Sequence, residues 1–286
     1  MADDAALVFG GLLTLDVAQL TDRLPPVGEK GTSTAAYMDV GGPAANAAIT
    51  ARRLGSAAFI HTVVGSGDLA DYVRRVLSEH RVALHDHAPD ATVPLASIWI
   101  DAPTGGRTIL ATNNAHLRLH PEGRLLPDTA AAVLLDGHYP DLALALAIEA
   151  RNRGVAIVLD CGRWRPVFSE LLPLASDVIL CEIFRPPGIE ATTDAELVET
   201  IARDWEPEVC AVTRGSNDIL VVADGVTHRV SVPQVQVVDT TGAGDLLHGA
   251  YMHFRYVERR SALDSLRSAA ELASRSCTHL GVRSGA

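Results

Sequence analysis

Strand-length apolar runs alternate with amphipathic helical stretches along most of the 286-residue chain. We predict strands at residues 7–12, 57–64, 132–135, 155–159, 178–180, 209–213 and 235–238. The helical stretches between them end at glycines such as Gly55 and Gly154, the residue type favoured just after a helix. This alternation predicts an α/β fold in which a parallel central sheet carries helices on both faces, and a tight Asp224-Gly225 turn adds antiparallel edge strands.

Two regions interrupt the alternation, residues 13–40 and 93–112. Both contain turn-flanked runs typical of strands outside the main sheet. Because ligands of open α/β sheets bind beyond the carboxyl ends of the strands, we expect these two segments to form a small β lid over that edge. No linker divides the chain, so we expect one domain over residues 1–286. The lid could also pair two copies into a homodimer through Ile98, Ile100 and Ile109, unless these side chains pack inward.

The predicted strand at residues 235–238 runs straight into Asp-Thr-Thr-Gly-Ala-Gly-Asp at residues 239–245, and an apolar helical pattern follows. The first backbone N–H groups of such a helix have no partner and lie at the positive end of its dipole. A phosphate or a developing oxyanion can therefore approach Gly242, Ala243 and Gly244 closely. The carboxylate of Asp245 lies beside this anion hole, which suggests a general base.

The overall charge indicates which kinds of molecule the protein is expected to bind. The formal net charge is −11, which argues against binding to nucleic acid or an anionic membrane, because both need a clustered positive face. The first apolar segment is short and has no basic residues before it, so we expect neither export nor a membrane span. The four cysteines are widely spaced, as buried thiols in a reducing compartment would be. We therefore expect a cytoplasmic protein with a small-molecule partner.

Three further groups of residues have both an ordinary and a functional interpretation. Gly41 and Gly42 with Asn46 could simply start a helix, or could let a polyhydroxylated ligand lie against the backbone and an amide. Asp16 follows the first strand, where it could be a solvated loop residue or could accept hydrogen bonds from two adjacent sugar hydroxyls. The run Thr213-Arg214-Gly215 could be a strand exit turn or a phosphate-binding turn.

These features, in this order, resemble the ribokinase-like (PfkB) family of carbohydrate and nucleoside kinases. The resemblance spans nearly the whole chain, and residues 239–245 are its most specific part. It implies a three-layer α/β/α domain with a β lid. It also implies transfer of the γ-phosphoryl group of ATP, with Mg²⁺, to a hydroxyl of a small sugar. In that family, Asp245 matches the catalytic base and Gly242, Ala243 and Gly244 match the anion hole.

The resemblance also assigns binding residues. Asp16, Gly41, Gly42 and Asn46 match positions that bind sugar hydroxyls, and Lys30 fits the branch that contains sulfofructose kinase and ketohexokinase-like enzymes. Thr213, Gly215 and Thr241 match nucleotide-binding positions, with Arg214 as an addition of this chain. The segment at residues 277–284 corresponds to the border of the adenine pocket and of a monovalent-cation site, for an ion such as K⁺.

The chain departs from the family pattern at two places. An Asn-x-x-Glu pattern is expected after the strand at 178–180, but residues 181–185 read Cys-Glu-Ile-Phe-Arg, so we assign Glu182 to Mg²⁺ through water. Ala111 and His138 replace the sulfonate ligands expected of sulfofructose kinase, which leaves a ketose, pentose or hexose as the acceptor. Two alternatives stay open. The protein could be a nucleoside kinase that stacks a base on Trp99 or Tyr37, or it could be a non-catalytic sensor of a sugar or nucleotide.

Overall fold

The computed structural model describes residues 5–283. Within that range the strands are β1 Ala6–Gly10, β2 Thr14–Thr21, β3 Ala35–Gly41, β4 Ala57–Thr62, β5 Ala83–Asp86, β6 Leu95–Asp101, β7 Arg107–Ala111, β8 Ala130–Leu135, β9 Ala156–Cys161, β10 Asp177–Cys181, β11 Val209–Arg214, β12 Asn217–Ala223 and β13 Val226–Val230. The helices are α1 Pro43–Arg53, α2 Asp68–Glu79, α3 Pro140–Arg153, α4 Phe168–Leu171, α5 Asp194–Trp205, α6 Ala243–Met252 and α7 Ala262–Ser276. A π-helical turn at His253–Val257 continues α6.

The central sheet has nine strands in the order β13-β12-β11-β10-β9-β8-β1-β4-β5. Every pairing from β5 across to β11 is parallel, while β11, β12 and β13 pair antiparallel. The last hairpin turns at Asp224 and Gly225, whose φ angles of 51° and 71° are those of a tight turn matching the twist of the strands. The predicted mostly parallel sheet with an antiparallel edge is confirmed.

Helices cover both faces of this sheet and form two apolar cores. The buried side chains of α1, α2, α6 and α7 pack on one face, together with Leu7 and Phe9 of β1. The buried side chains of α3, α4 and α5 pack on the other face, together with Val8 of the same strand. Alternate residues of one strand thus enter opposite cores, as expected for a strand that is covered on both sides. The chain has the three-layer α/β/α architecture that the resemblance implied.

A second, four-stranded sheet has the order β3-β2-β6-β7 and is built from the two segments predicted as a lid. Ala18, Ala96, Ile98 and Ile100 form its buried face. Ile98 and Ile100 therefore pack inward rather than along an open edge. Strand β7 exposes Ile109, so a homodimer through this sheet stays a prediction.

One predicted strand is wrong. Residues 235–238 lie outside any sheet, because the central sheet ends at β13, which pairs only with β12 among the described residues. The N–H groups of Val238 and Asp239 instead donate to Cys277 O at 2.8 and 3.2 Å. An apolar run signals burial against a neighbour, but it does not reveal whether a free strand edge is available. The motif at 239–245 therefore follows an extended loop.

The structure also describes two properties that concern the cellular environment, namely membrane-spanning character and the state of the cysteines. Between residues 5 and 283, no helix combines the length and apolar character needed to cross a membrane. All four cysteines carry free thiols, and Cys161, Cys210 and Cys277 are buried. Burial raises the pKa of the Cys210 thiol, which keeps it protonated and unreactive. The three buried thiols therefore act as small apolar side chains of the core.

Candidate active site

Asp245 lies in the first turn of α6, beside the helix N-terminus. One of its oxygens, Oδ2, accepts a hydrogen bond of 2.8 Å from the side-chain amide of Asn46 on α1. Burial raises the pKa of Asp245 to about 6, and the nearby carboxylate of Asp160 acts in the same direction. The Asn46 hydrogen bond opposes both, because it favours the charged form. Asp245 is thus a carboxylate whose pKa lies close to neutrality, as a general base requires.

The turn before Asp245 contains the residues predicted to form an anion hole. Gly242 caps α6 in the left-handed region with φ 69°, and no side chain caps the helix N-terminus. A Cβ at Gly242 would lie 2.8 Å from Val282 Cγ1, so this position needs glycine for both its backbone and its packing. At Gly244, in contrast, a Cβ would meet no atom within 4 Å. Ala243 N donates to Thr240 O at 3.4 Å, whereas the structure gives the N–H groups of Gly242 and Gly244 no hydrogen bond with a described residue, so an anion can approach those two groups.

Asp16, Gly41 and Asn46 are three of the residues predicted to bind sugar hydroxyls. Asp16 on β2 is buried and accepts a 2.5 Å hydrogen bond from the Thr14 hydroxyl. Burial raises the pKa of Asp16 to about 6, although the Thr14 hydrogen bond acts against this shift. A side chain at Gly41 would collide with the Asp16 carboxylate, and Asn46 completes the group from α1. Asp16 and Gly41 therefore lie against each other, while Asn46 lies beside Asp245, with Nδ2 3.2 Å from a Cβ position at Gly242.

Gly42 and Lys30 contribute differently. Gly42 has φ 88°, and a Cβ there would strike Leu12 O and the backbone of Leu13 and Thr14. Two backbone segments cross closely at the start of α1, and this crossing by itself requires a glycine at position 42. Lys30 is exposed in the loop between β2 and β3, and the structure gives its side chain no hydrogen bond or ion pair with a described residue. The structure does not bring Lys30 into contact with the other predicted site residues.

The predicted nucleotide turn connects β11 to β12 and is open to solvent. The Thr213 hydroxyl donates to Leu180 O at 3.1 Å, and Gly215 has φ 59° with no atom within 4 Å of a Cβ position. The Arg214 guanidinium folds back and donates to Asp218 O at 2.9 and 2.5 Å. It therefore braces its own hairpin. Thr241 N donates to Asp239 Oδ1 at 2.8 Å and so belongs to the loop before the anion hole.

The segment that departs from the family pattern has a packing role. Phe184 is fully buried, with ring centroids 5.6 Å from Trp164 and 5.4 Å from Phe168. Glu182, two residues earlier, is exposed at the end of β10, and its N–H donates to Thr213 O at 3.1 Å. One side chain of this segment thus fills the core while the carboxylate remains available beside the nucleotide turn.

Asp160 and His248 are site residues that we did not predict. Asp160, near the end of β9, is buried, and burial raises its pKa. Its Oδ1 lies 3.6 Å from Nε2 of His248, one helical turn after Asp245. The other ring nitrogen, Nδ1, lies 2.8 Å from Gly244 O and must carry a hydrogen, because a carbonyl only accepts. The only sequence signal for Asp160 is its position directly after a predicted strand.

Asp136, at the end of β8, is a second buried carboxylate that we did not predict. It accepts hydrogen bonds from Leu12 N at 2.8 Å and from His138 N at 2.9 Å. Burial opposes its ionisation, but the contacts with His138 outweigh burial and lower the pKa of Asp136. Arg165 Nη2 lies 2.5 Å from Nε2 of His138. Asp136 thus holds the loops that follow β1 and β8, while His138 and Arg165 supply a basic pair beside it.

The lid contacts the loop before the anion hole directly. Arg107 of β7 donates to Thr240 O at 3.0 Å and to Thr240 Oγ1 at 2.7 Å. The Tyr37 hydroxyl of β3 lies 3.4 Å from Asp239 Oδ2, and Gly281 N donates to the same oxygen at 3.0 Å. Asp239 and Thr240 therefore join the lid, the C-terminal segment and α6. Tyr37, one of the two candidate base-stacking residues, has its hydroxyl engaged in this contact.

Comparison with known proteins identifies the family. The model of the pfkB family of carbohydrate kinases matches residues 4–286. The chain belongs to the pfkB family of carbohydrate kinases. This pfkB-family chain is 27% identical over 266 residues to a ribokinase of Mus musculus, covering 86% of the chain and 80% of that protein. It is also 27% identical over 305 residues to a deoxyribokinase of Salmonella typhi, covering 98% of the chain and 94% of that protein.

The fold of this pfkB-family kinase is shared by solved structures. An Arabidopsis thaliana ribokinase complexed with ribose and ATP superposes with a TM-score of 0.75 at 22% identity, covering 98% of this chain and 94% of that chain. The resemblance drawn from the motifs is confirmed at the level of family and fold. The protein is a phosphotransferase with an alcohol group as acceptor. Its placement near sulfofructose kinase and ketohexokinase-like enzymes stays a prediction.

Proposed function

We propose that this pfkB-family kinase transfers the γ-phosphoryl group of ATP to a hydroxyl of a small sugar, with Asp245 as the base. The observation that carries this proposal is the 2.8 Å hydrogen bond from Asn46 to Asp245. It joins the predicted sugar-binding residues to a carboxylate at an uncapped helix N-terminus. Relatives named ribokinase, deoxyribokinase and fructokinase support a sugar as the acceptor.

The reaction follows from the arrangement around Asp245. With a pKa of about 6, the carboxylate is mostly ionised at neutral pH. Asn46 occupies Oδ2, which leaves Oδ1 to accept the proton of the sugar hydroxyl. As that proton moves to Asp245, the hydroxyl oxygen bonds to the γ-phosphorus, and the bond to the β–γ bridging oxygen breaks so that ADP leaves. The N–H groups of Gly242 and Gly244, and that of Ala243 once it releases Thr240 O, would stabilise the negative charge of the transferring group.

We propose that the sugar lies between Asp16 and Asp245. The Asp16 carboxylate is buried, and its hydrogen bond from Thr14 leaves acceptor positions for two adjacent hydroxyls. Donation from those hydroxyls would offset the burial that raises the pKa of Asp16. Gly41 and Gly42 allow the sugar to lie against the backbone, and Lys30 would join the site only if its exposed loop closed.

We propose that the nucleotide phosphates lie between the turn at residues 213–215 and Thr241. Gly215 leaves that turn open, while Arg214 would have to release Asp218 O to reach a phosphate. Mg²⁺ commonly takes one or two carboxylates, water and phosphate oxygens, and the exposed Glu182 fits such a water-mediated role. When bound, the ion would neutralise phosphate charge. A monovalent cation such as K⁺ would bind near the segment at 277–284.

The Asp245→Asn variant tests the base. The amide keeps the size of the side chain but cannot accept the proton, so kcat should fall roughly 100- to 10,000-fold. ATP affinity, measured by calorimetry with Mg²⁺ present, should stay within about threefold, because the anion hole is made of backbone. Retention of more than a tenth of the activity would exclude Asp245 as the base. Asp264→Asn, on the exposed start of α7, is a matched control that should leave both quantities unchanged.

A substrate panel tests the acceptor class. ADP release from ATP should depend on ribose, deoxyribose or a ketohexose, and thermal shifts should be larger with those sugars than with nucleosides. Turnover with nucleosides alone would establish the nucleoside kinase. Binding of sugar and ATP without turnover of any acceptor would establish the sensor and contradict the proposal.

A further inference from the structure

Arg283 is a nearly buried cation that lies behind the base, where the C-terminal segment crosses the start of α1. Its side chain is 12% exposed, and its Nη1 forms an ion pair with Asp39 of β3. Its Nη2 donates to Val40 O and, at 3.1 Å, to Oδ1 of Asn46. One guanidinium thus joins the lid to the residue that contacts Asp245.

The contact with Arg283 determines which way the Asn46 amide faces. An amide has an acceptor end and a donor end, whereas a guanidinium can only donate. Arg283 therefore takes Oδ1, and the NH₂ group is left to donate to Asp245 Oδ2 at 2.8 Å. In the flipped orientation, Oδ1 would face the Asp245 carboxylate and the NH₂ group would face the guanidinium. Both contacts would then be repulsive, so the chain Arg283–Asn46–Asp245 has one favourable polarity.

The backbone around Arg283 holds it in place. The carbonyl of Cys277, six residues earlier, accepts the N–H groups of Val238 and Asp239. Gly281 N donates to Asp239 Oδ2 at 3.0 Å, and Val282 packs where a side chain at Gly242 would otherwise lie. The segment that carries Arg283 is thus anchored on the loop that precedes Asp245. A side chain that is fixed at both ends can fix the group it contacts.

We infer that Arg283 is a positioning residue of the catalytic base. By holding the Asn46 amide, it commits Asp245 Oδ2 to Asn46 and leaves Oδ1 for the proton of the acceptor hydroxyl. This inference rests on the proposed function, because it assigns a role within the same phosphoryl transfer.

A double-mutant cycle separates positioning from general support. Arg283→Met and Asn46→Ala should each lower kcat roughly 10- to 100-fold, while the KM for ATP should change less than about threefold. Because Arg283 acts through Asn46, the double variant should be no slower than Asn46→Ala alone. Multiplication of the two losses would overturn the inference. Arg283→Lys keeps the charge and one donor, so it should recover part of the kcat lost in Arg283→Met.

A second readout does not depend on turnover. The side-chain amide resonance of Asn46 in a ¹⁵N-labelled protein can be assigned by its loss in Asn46→Ala. It should titrate with Asp245 near pH 6 in the unaltered chain, and this titration should shrink or vanish in Arg283→Met. An unchanged titration would overturn the inference even if no acceptor were found. Failure of every acceptor in the panel, with the NMR effect present, would instead contradict the proposed function alone.

Arg52→Met is the matched control. Arg52 lies at the far end of α1, and its Nη1 donates to Ser56 O at 3.1 Å. This variant removes an arginine from α1, the helix that also carries Asn46, without altering any residue of the site. It should leave kcat and the Asn46 titration unchanged, and thermal unfolding should show that all variants are folded.

Discussion

The two halves of the site are built differently. On the sugar side, Asp16 and Asn46 are buried, and hydrogen bonds from Thr14 and Arg283 fix their orientation before any ligand arrives. On the nucleotide side, Gly215 and Glu182 are exposed, and Arg214 is occupied by its own hairpin. Preorganised buried groups discriminate between ligands because a missing partner leaves them unpaired, whereas exposed groups lose little. We therefore expect the sugar side to set specificity and the nucleotide side to tolerate substitution.

Among the variants that test this comparison of the two halves, Asp16→Asn should have the largest effect. Replacing a buried carboxylate that binds two hydroxyls should lower kcat/KM for the sugar about 100-fold or more, since hydrogen bonds to charged groups contribute about 1.5–3 kcal/mol each. The KM for ATP should stay nearly constant in steady-state assays. Thr14→Val, which removes only the hydrogen bond to Asp16, should have a smaller effect. An equal rise in both KM values would remove the distinction between the two halves.

The next effect is a shift in pH dependence from Asp160→Asn. Asp245 must be ionised to accept a proton, so kcat in the unaltered chain should fall as the pH falls through about 6. Asp160 contributes to the raised pKa of Asp245, so removing its charge should lower the pKa of Asp245 and move this acid limb to lower pH. Measurement of kcat from pH 5 to 8 at constant ionic strength checks this. An unchanged acid limb would mean that Asp160 carries no negative charge near Asp245, and an upward shift would likewise contradict the prediction.

The smallest effect should come from Arg214→Met. Because its guanidinium donates to Asp218 O, its loss should change the KM for ATP less than about threefold. Arg203→Met, an exposed arginine on α5, serves as the control for removing a surface charge. A tenfold rise in the KM for ATP would show that Arg214 leaves its hairpin when the nucleotide binds, and the nucleotide side would then be reorganised by its ligand.

The comparison also shows which parts of the site a sequence can reveal. Asp245 and Gly242 could be predicted because they lie in a local pattern with its own physical signature, whereas only the family resemblance assigned Asp16 to sugar binding. Asp160 and His248 could not be paired, since they lie on different elements and neither belongs to a recognisable motif. The contact between Arg283 and Asn46 joins residues 237 positions apart, and nothing near either residue indicates the other.

The sequence by itself determined the layered sheet, the two lid segments and the family. The sheet and the lid segments follow from local periodicity and turn chemistry, which act over a few residues. The family follows from the resemblance that motifs such as residues 239–245 carry. Only the tertiary structure decided that residues 235–238 form a loop, that Arg214 faces its own hairpin, and that the Asn46 amide is held between Arg283 and Asp245. Those outcomes depend on which strand edges and hydrogen-bond partners the folded chain brings together. Such partners are distant in sequence, so no local pattern records them.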